Sequence, residues 1–367
     1  MAETPATAAI DLVGLENSDK KALIRFKSDD IPSFARRCRL GSVHQFRSKE
    51  IKMSARERVD PESRIPLEGL LSVMPGGFNA IPDIVQRRAV LNQMLGATPV
   101  PEDPNIEITN HTASGPAGEI AVRVYSPKNV AKPAPGLVYI HGGGMIMGGL
   151  DGEDGTCQMM ANRLGAVIAS VDYRKAPEDP YPAAPEDCYA AASWVFAHAA
   201  ELGINAGNIG IYGHSAGGGL TIAVAMMARD RSGPKFSFMA PIYPMIDDRN
   251  TSESSKLVTD VGIWDRAGSL EAWGWYLGGK DADEYAAPAR AKDLSGLPPT
   301  FIDVGELDMF RDEDIEFAKR LAEANVQVEF HLWPGAYHAS EIFAPEAALS
   351  KTIWDTRLAG VKRLMGS

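Results

Sequence analysis

The chain has 367 residues, 45% hydrophobic and 23% charged, with 37 basic against 48 acidic side chains and a net charge of −11. A chain of this make-up can bury a large core without disulfide staples, and its acidic balance works against nucleic acid or an anionic membrane as partner. Cys38, Cys157 and Cys188 are odd in number and lack CxxC or Cys/His spacing, which points to free thiols and to no metal site.

Met1 to Leu15 lacks a basic segment followed by a long apolar run, and no stretch reaches the ~18 apolar residues of a membrane span. A cytoplasmic protein without a signal peptide is expected. Lys20 to Arg64 reads as a charged, irregular stretch, and its cluster of Arg36, Arg37 and Arg39 as a solvated face. Ile84, Val85, Ala89, Leu91 and Leu95 predict an amphipathic helix within Ile81–Leu95. Pro99, Pro101 and Pro104 then mark a boundary.

Past Pro104 the pattern becomes regular. Ile106–Thr112 and Glu119–Tyr125 alternate apolar and polar residues as half-buried strands do. Short apolar runs at Gly136–Ile140, Ala166–Val171, Ile209–Tyr212, Phe236–Ile242, Thr300–Val304 and Val326–Leu332 predict central strands. Helical segments separate most of them: Thr156–Leu164, Pro185–Glu201, Ala216–Arg229 and Asp312–Ala324, with Ala344–Leu364 closing the chain. This alternation predicts an α/β fold with a mostly parallel central sheet, helices on both faces and a site at the carboxyl ends of the strands. Met245 to Pro298, which holds Trp264, Trp273, Trp275 and Tyr276, is too long for a plain connection and reads as a lid or cap.

Gly213-His214-Ser215-Ala216-Gly217 follows one predicted strand and opens a helix. This G-x-S-x-G turn raises a serine above the sheet at a helix N-terminus, where amide donors favour developing negative charge. It identifies Ser215 as a nucleophile and the α/β-hydrolase fold as its setting. His141-Gly142-Gly143-Gly144 follows another strand. Side-chain-free amides of Gly142, Gly143 and Gly144, with the N–H of Ala216, are candidates for an oxyanion hole. The loop lacks the Gly-Lys-Ser/Thr ending of a phosphate cradle and the spaced glycines of a dinucleotide site.

A serine hydroxyl needs a base. Of seven histidines, His44 and His111 precede the predicted core strands, His198 sits in a helix and His331 within the last strand. His141 is expected to buttress the glycine loop, and the tight turn to point His214 away from the nucleophile. His338 alone lies in a loop just past a strand end. Asp308 follows the strand Thr300–Val304 and is the expected partner of the base, with Glu306 its rival. The order Ser215, Asp308, His338 suits this fold.

With these residues the chain resembles the hormone-sensitive-lipase-like esterases, the bacterial family IV carboxylesterases, from about Val59 to the C-terminus. The carriers are His141–Gly144, Gly213–Gly218 (GHSAGG), Asp172–Glu178 (DYRKAPE), Asp308–Glu313 (DMFRDE), which favours Asp308 over Glu306, and His338-Ala339-Ser340. The resemblance implies a serine carboxylesterase for short- to medium-chain acyl esters, with a small-molecule ester as partner and no metal or organic cofactor. It also implies a cap built from residues 1–100 and 245–298 on a catalytic domain of residues 101–367. Residues 1–58 exceed the family's usual start; a larger cap, a homodimer contact or disorder are open for them. His214 stands where an acidic residue is usual, and Met145 where an aromatic is common. A binding protein on the same fold predicts a missing base, which His338 opposes.

Overall fold

The computed structural model describes residues 55–96, 101–259, 261 and 263–366, all within the unit formed by residues 52–367. Cys38, His44, Pro99 and the cluster of Arg36, Arg37 and Arg39 lie outside the described residues.

The described chain opens with a helix the sequence analysis did not expect. Residues assigned to the irregular stretch begin α1 (Pro61–Val73), because Pro61 stands at the first helical position and the Asp60 carboxylate accepts from the Ser63 amide at 2.9 Å. The segment expected as an amphipathic helix forms α2 (Ile84–Gly96), but Val85 and Ala89 of its expected apolar face are exposed while Arg87 is buried.

Eight strands follow among the described residues: β1 (Ile106–Gly115), β2 (Gly118–Pro127), β3 (Ala134–Ile140), β4 (Val167–Asp172), β5 (Ile204–His214), β6 (Met239–Ile242), β7 (Thr300–Gly305) and β8 (Val328–Trp333). They form one sheet in the order β1-β2-β4-β3-β5-β6-β7-β8. The β1–β2 and β2–β4 pairings are antiparallel and the rest parallel. Every predicted strand is present, with shifted ends.

The helices between strands are α3 (Asp154–Leu164), α4 (Ala183–Ala197) and α5 (Ala216–Asp230), then α6 (Glu253–Leu257), α7 (Arg266–Leu277) and α8 (Arg311–Glu323). The closing helix, expected from Ala344, starts only at α10 (Ala348–Leu364), and a short unpredicted helix, α9 (Ser340–Phe343), stands before it. Pro345 explains the break: it disfavours helical geometry at Ala344, whose φ of −131° and ψ of 56° end the first piece.

Two cores flank the sheet. Along β3 the side chains alternate between them, Val138 and Ile140 entering one, Leu137 and Tyr139 the other. The first core takes α4, α5 and α8 through residues such as Val195, Leu220 and Phe317. The second takes α3 and α10 through Met160, Leu358 and Val361. Each fully buried aliphatic side chain contributes about 1.5–3 kcal/mol, so burial on both faces accounts for the nearly unbroken apolar runs of the central strands.

The parallel register aligns the strand ends: Ile140 pairs with Gly213, His214 with Ile242, and Gly305 with Trp333. The loops after β3, β5, β6, β7 and β8 therefore emerge at one edge. Among the described residues no helix is long and apolar enough to cross a membrane.

Candidate active site

Ser215 occupies the turn between β5 and α5 with φ 56° and ψ −122°, a conformation that an ordinary residue adopts only under constraint. Its amide donates to Ile242 O at 2.9 Å and its carbonyl accepts from the Met245 amide at 3.0 Å, so the turn is clamped from the neighbouring strand. Glycine on either side is a steric requirement. A Cβ on Gly213 would lie 2.3 Å from Gly217 O, and one on Gly217 would lie 2.1 Å from Ile140 O.

Loops from three strands bring Ser215, His338 and Asp308 together. His338 Nε2 lies 3.0 Å from Ser215 Oγ, and His338 Nδ1 lies 2.7 Å from Asp308 Oδ2. The other Asp308 oxygen accepts from the Phe310 amide at 3.0 Å. All three residues are buried. Tyr243 and Phe310 set their ring edges and faces against the His338 imidazole at 4.9 Å and 5.2 Å between centroids, fixing its plane. Glu306, the rival carboxylate, accepts instead from the Gly335 amide and pairs with Arg58.

The remaining histidines take other places. His111 lies on β1, within the sheet rather than before it, and bonds Thr109 Oγ1 at 2.8 Å. His198 caps α4 and donates to Trp194 O, and His331 on β8 pairs with Glu329. His141 is fully buried, stacks on Tyr173 at 4.2 Å and donates from Nδ1 to Gly142 O at 2.7 Å. Burial, then the nearby Lys175, lowers its pKa to about 3, so the 3.9 Å approach of Asp172 is no ion pair at neutral pH.

The glycine loop turns sharply, with Gly143 at φ 112°. Tyr173 Oη donates to His141 O at 3.0 Å and Arg88 of α2 donates to Ile146 O and Ala176 O, bracing both ends of the loop. The Gly142 N–H points at His214 Nε2, 3.2 Å away, and is committed there rather than free for a bound oxyanion. Gly143 and Gly144 keep that role open.

Ser215, His214, His338 and the three glycines line one mainly apolar cavity. Phe78, Leu91 and Leu95 wall it from the N-terminal side, and Ile263, Trp264, Ile342 and Phe343 complete the apolar surface. Of the five aromatics in the 245–298 insertion, Trp264 alone is among the lining residues; Trp273 and Tyr276 are core. Glu153 also lines the cavity, and nothing in the sequence singled it out: it follows no strand and sits in no motif. Cys157 and Cys188 are buried free thiols, pushed up in pKa chiefly by burial. Among the described residues no group of His, Cys, Asp or Glu is arranged to hold a metal ion.

Comparison with known proteins agrees in kind. A family model described as the alpha/beta hydrolase fold matches residues 137–342. The carboxylesterase NlhH of Mycobacterium tuberculosis is 37% identical over 85% of this chain and 98% of its own length. A bacterial heroin esterase superposes with a TM-score of 0.80 at 36% identity, over 86% of this chain and all of that one. The esterase LipW of Mycobacterium marinum gives a TM-score of 0.72 at 31% identity, over 84% of this chain and 97% of that one.

Proposed function

Because the chain belongs to the hormone-sensitive-lipase-like (family IV) carboxylesterases of the α/β-hydrolase fold, we propose that it hydrolyses short- to medium-chain acyl esters through an acyl-enzyme on Ser215. The observation that carries this reading is the unbroken chain from Asp308 through His338 to Ser215 Oγ at the wall of an apolar cavity.

In this mechanism Ser215 Oγ attacks the ester carbonyl carbon while its proton passes to His338 Nε2. Asp308 fixes the imidazole with Nε2 bare and stabilises the imidazolium that forms. The carbonyl oxygen becomes an oxyanion held by the N–H groups of Gly143, Gly144 and Ala216, each such donor being worth about 3 kcal/mol in the transition state. Collapse expels the alcohol, which takes the proton from His338. Water, deprotonated by His338, then attacks the acyl carbon, and Ser215 leaves with its proton restored. The N-terminal helices and the insertion around Trp264 act as a cap whose apolar residues receive the acyl chain or the alcohol.

The test is hydrolysis of p-nitrophenyl acetate, butyrate, octanoate and palmitate by the native protein and Ser215→Ala. The expected result is turnover favouring the shorter chains and a loss of about 10⁴-fold or more in the variant. A variant that keeps native activity, or a native protein inert on the whole series, overturns the reading.

A further inference from the structure

His214 lines the same cavity as His338, yet the mechanism above gives it no proton to move. Its contacts assign every hydrogen around it. The Gly142 N–H approaches Nε2 at 3.2 Å, so Nε2 carries a lone pair and the single ring proton sits on Nδ1. Nδ1 lies 3.2 Å from Tyr139 Oη. That hydroxyl gives its own hydrogen to Glu153 Oε2 at 2.5 Å, which leaves its oxygen free to accept from Nδ1–H. The bonds thus run one way, from Gly142 N–H through the imidazole and the phenol to the carboxylate. Resting on the esterase reading, we infer that His214 is a positioning residue for the oxyanion loop: Glu153 and Tyr139 set its tautomer so that Nε2 holds the Gly142 amide and the next two amides face the ester.

Contact supports this as well as hydrogen bonding. A Cβ added to Gly142 would lie 2.7 Å from both Cδ2 and Nε2 of His214, so the loop rests directly on the ring. The arrangement requires a neutral imidazole. Burial lowers the His214 pKa, and Arg357 of α10 and His338 add to this, while Glu153 and Glu341 of α9 oppose them. The Tyr243 ring packs edge-on at 6.2 Å, and the nearby His141 is itself kept neutral by burial. A second proton on Nε2 would find Glu153 Oε1 3.7 Å away and would leave the Gly142 N–H facing another donor.

The experiment compares His214→Leu, His214→Gln and Tyr139→Phe with the native enzyme and Ser215→Ala on p-nitrophenyl butyrate. His214→Leu, which removes the acceptor, should lower kcat about ten-fold or more and leave KM within about two-fold, since loop geometry matters where the oxyanion forms. Affinity for a trifluoromethyl ketone, whose hemiketal with Ser215 carries an oxyanion, should fall by the same factor. His214→Gln, whose Oε1 can stand near the place of Nε2, should recover most of kcat. Tyr139→Phe frees the tautomer, is the milder change should the leucine variant not fold, and should lower kcat about three-fold at unchanged KM. Native kcat in both His214→Leu and Tyr139→Phe, with Ser215→Ala inactive, overturns the inference and leaves the esterase reading standing. So does a glutamine variant no better than the leucine variant at equal thermal stability. Activity surviving in Ser215→Ala overturns both.

Discussion

The two histidines that reach the cavity both depend on a carboxylate, but the sides of the pocket to which they belong are built differently. His338 touches its carboxylate directly, 2.7 Å from Asp308, and stands over buried charge. Below it Arg357 bonds both Asp303 and Glu341, and Glu341 holds the Tyr243 hydroxyl at 2.7 Å. Glu313 and Asp314 are buried behind Asp308. His214 has the Tyr139 phenol between its Nδ1 and Glu153, and its Nε2 takes the Gly142 amide at 3.2 Å with Glu153 Oε1 no nearer than 3.7 Å. Contact with a carboxylate stabilises a second proton on the ring, as a general base needs. A hydroxyl in between orders the first proton and gives the second less stabilisation. One residue type thus serves two ends according to what faces Nδ1.

The comparison breaks most sharply at Asp308. Asp308→Asn keeps the shape but lets the amide donate to Nδ1, so the His338 proton moves to Nε2 and the base is lost. We expect kcat for p-nitrophenyl butyrate to fall about 10³–10⁴-fold, with Glu306→Gln, the rival carboxylate, changing it less than two-fold.

The ionic floor is tested at Arg357. Burial works to raise the Glu341 carboxyl, but Arg357, the Tyr243 hydroxyl and its own amide together hold the group below its usual range. Arg357→Met leaves Asp303 and Glu341 buried without their cation. Urea unfolding at pH 7 should show a loss of about 3–5 kcal/mol. A stability within about 1 kcal/mol of native would mean that the floor contributes no more than neutral packing.

The smallest effect separates the sides by pH. Asp314 has neither oxygen partnered within the protein, and burial, then Glu313, Asp308 and Asp303, push its pKa well above the ordinary carboxylate range. A raised folded-state pKa means that the folded protein binds the proton more tightly than the unfolded one. Its contribution to stability is therefore present below the unfolded pKa of about 3.9 and is lost as pH rises toward the folded value. Asp314→Asn removes that loss. Unfolding titrations at pH 4.5 and pH 8 should show the variant gaining on the native protein by about 1 kcal/mol or more at the higher pH; a pH-independent difference would place the Asp314 proton outside this account.

Much of this molecule is legible without coordinates. Apolar runs at β3, β4, β5 and β7 announce a buried parallel sheet because strands covered on both faces tolerate few polar side chains. Ser215, Asp308 and His338 can be named from their places just past strand ends, since parallel register carries those ends to one edge. Local rules failed where a competing local signal went unread, as with the Asp60 cap that starts α1 and Pro345 that delays the closing helix.

What the tertiary structure alone decided lies between segments. Phe78 and Trp264 are far apart in the chain and both line the cavity. Glu153 enters no motif, and its relation to His214 exists only because the segment leading into α3 folds back over β3 and its tyrosine. The direction of a hydrogen-bond chain depends on which groups meet in space, whereas sequence spacing governs only the order in which they are made. The chain by itself thus determined the sheet, its edge and the groups that edge presents. Packing decided which amide of the glycine loop His214 holds.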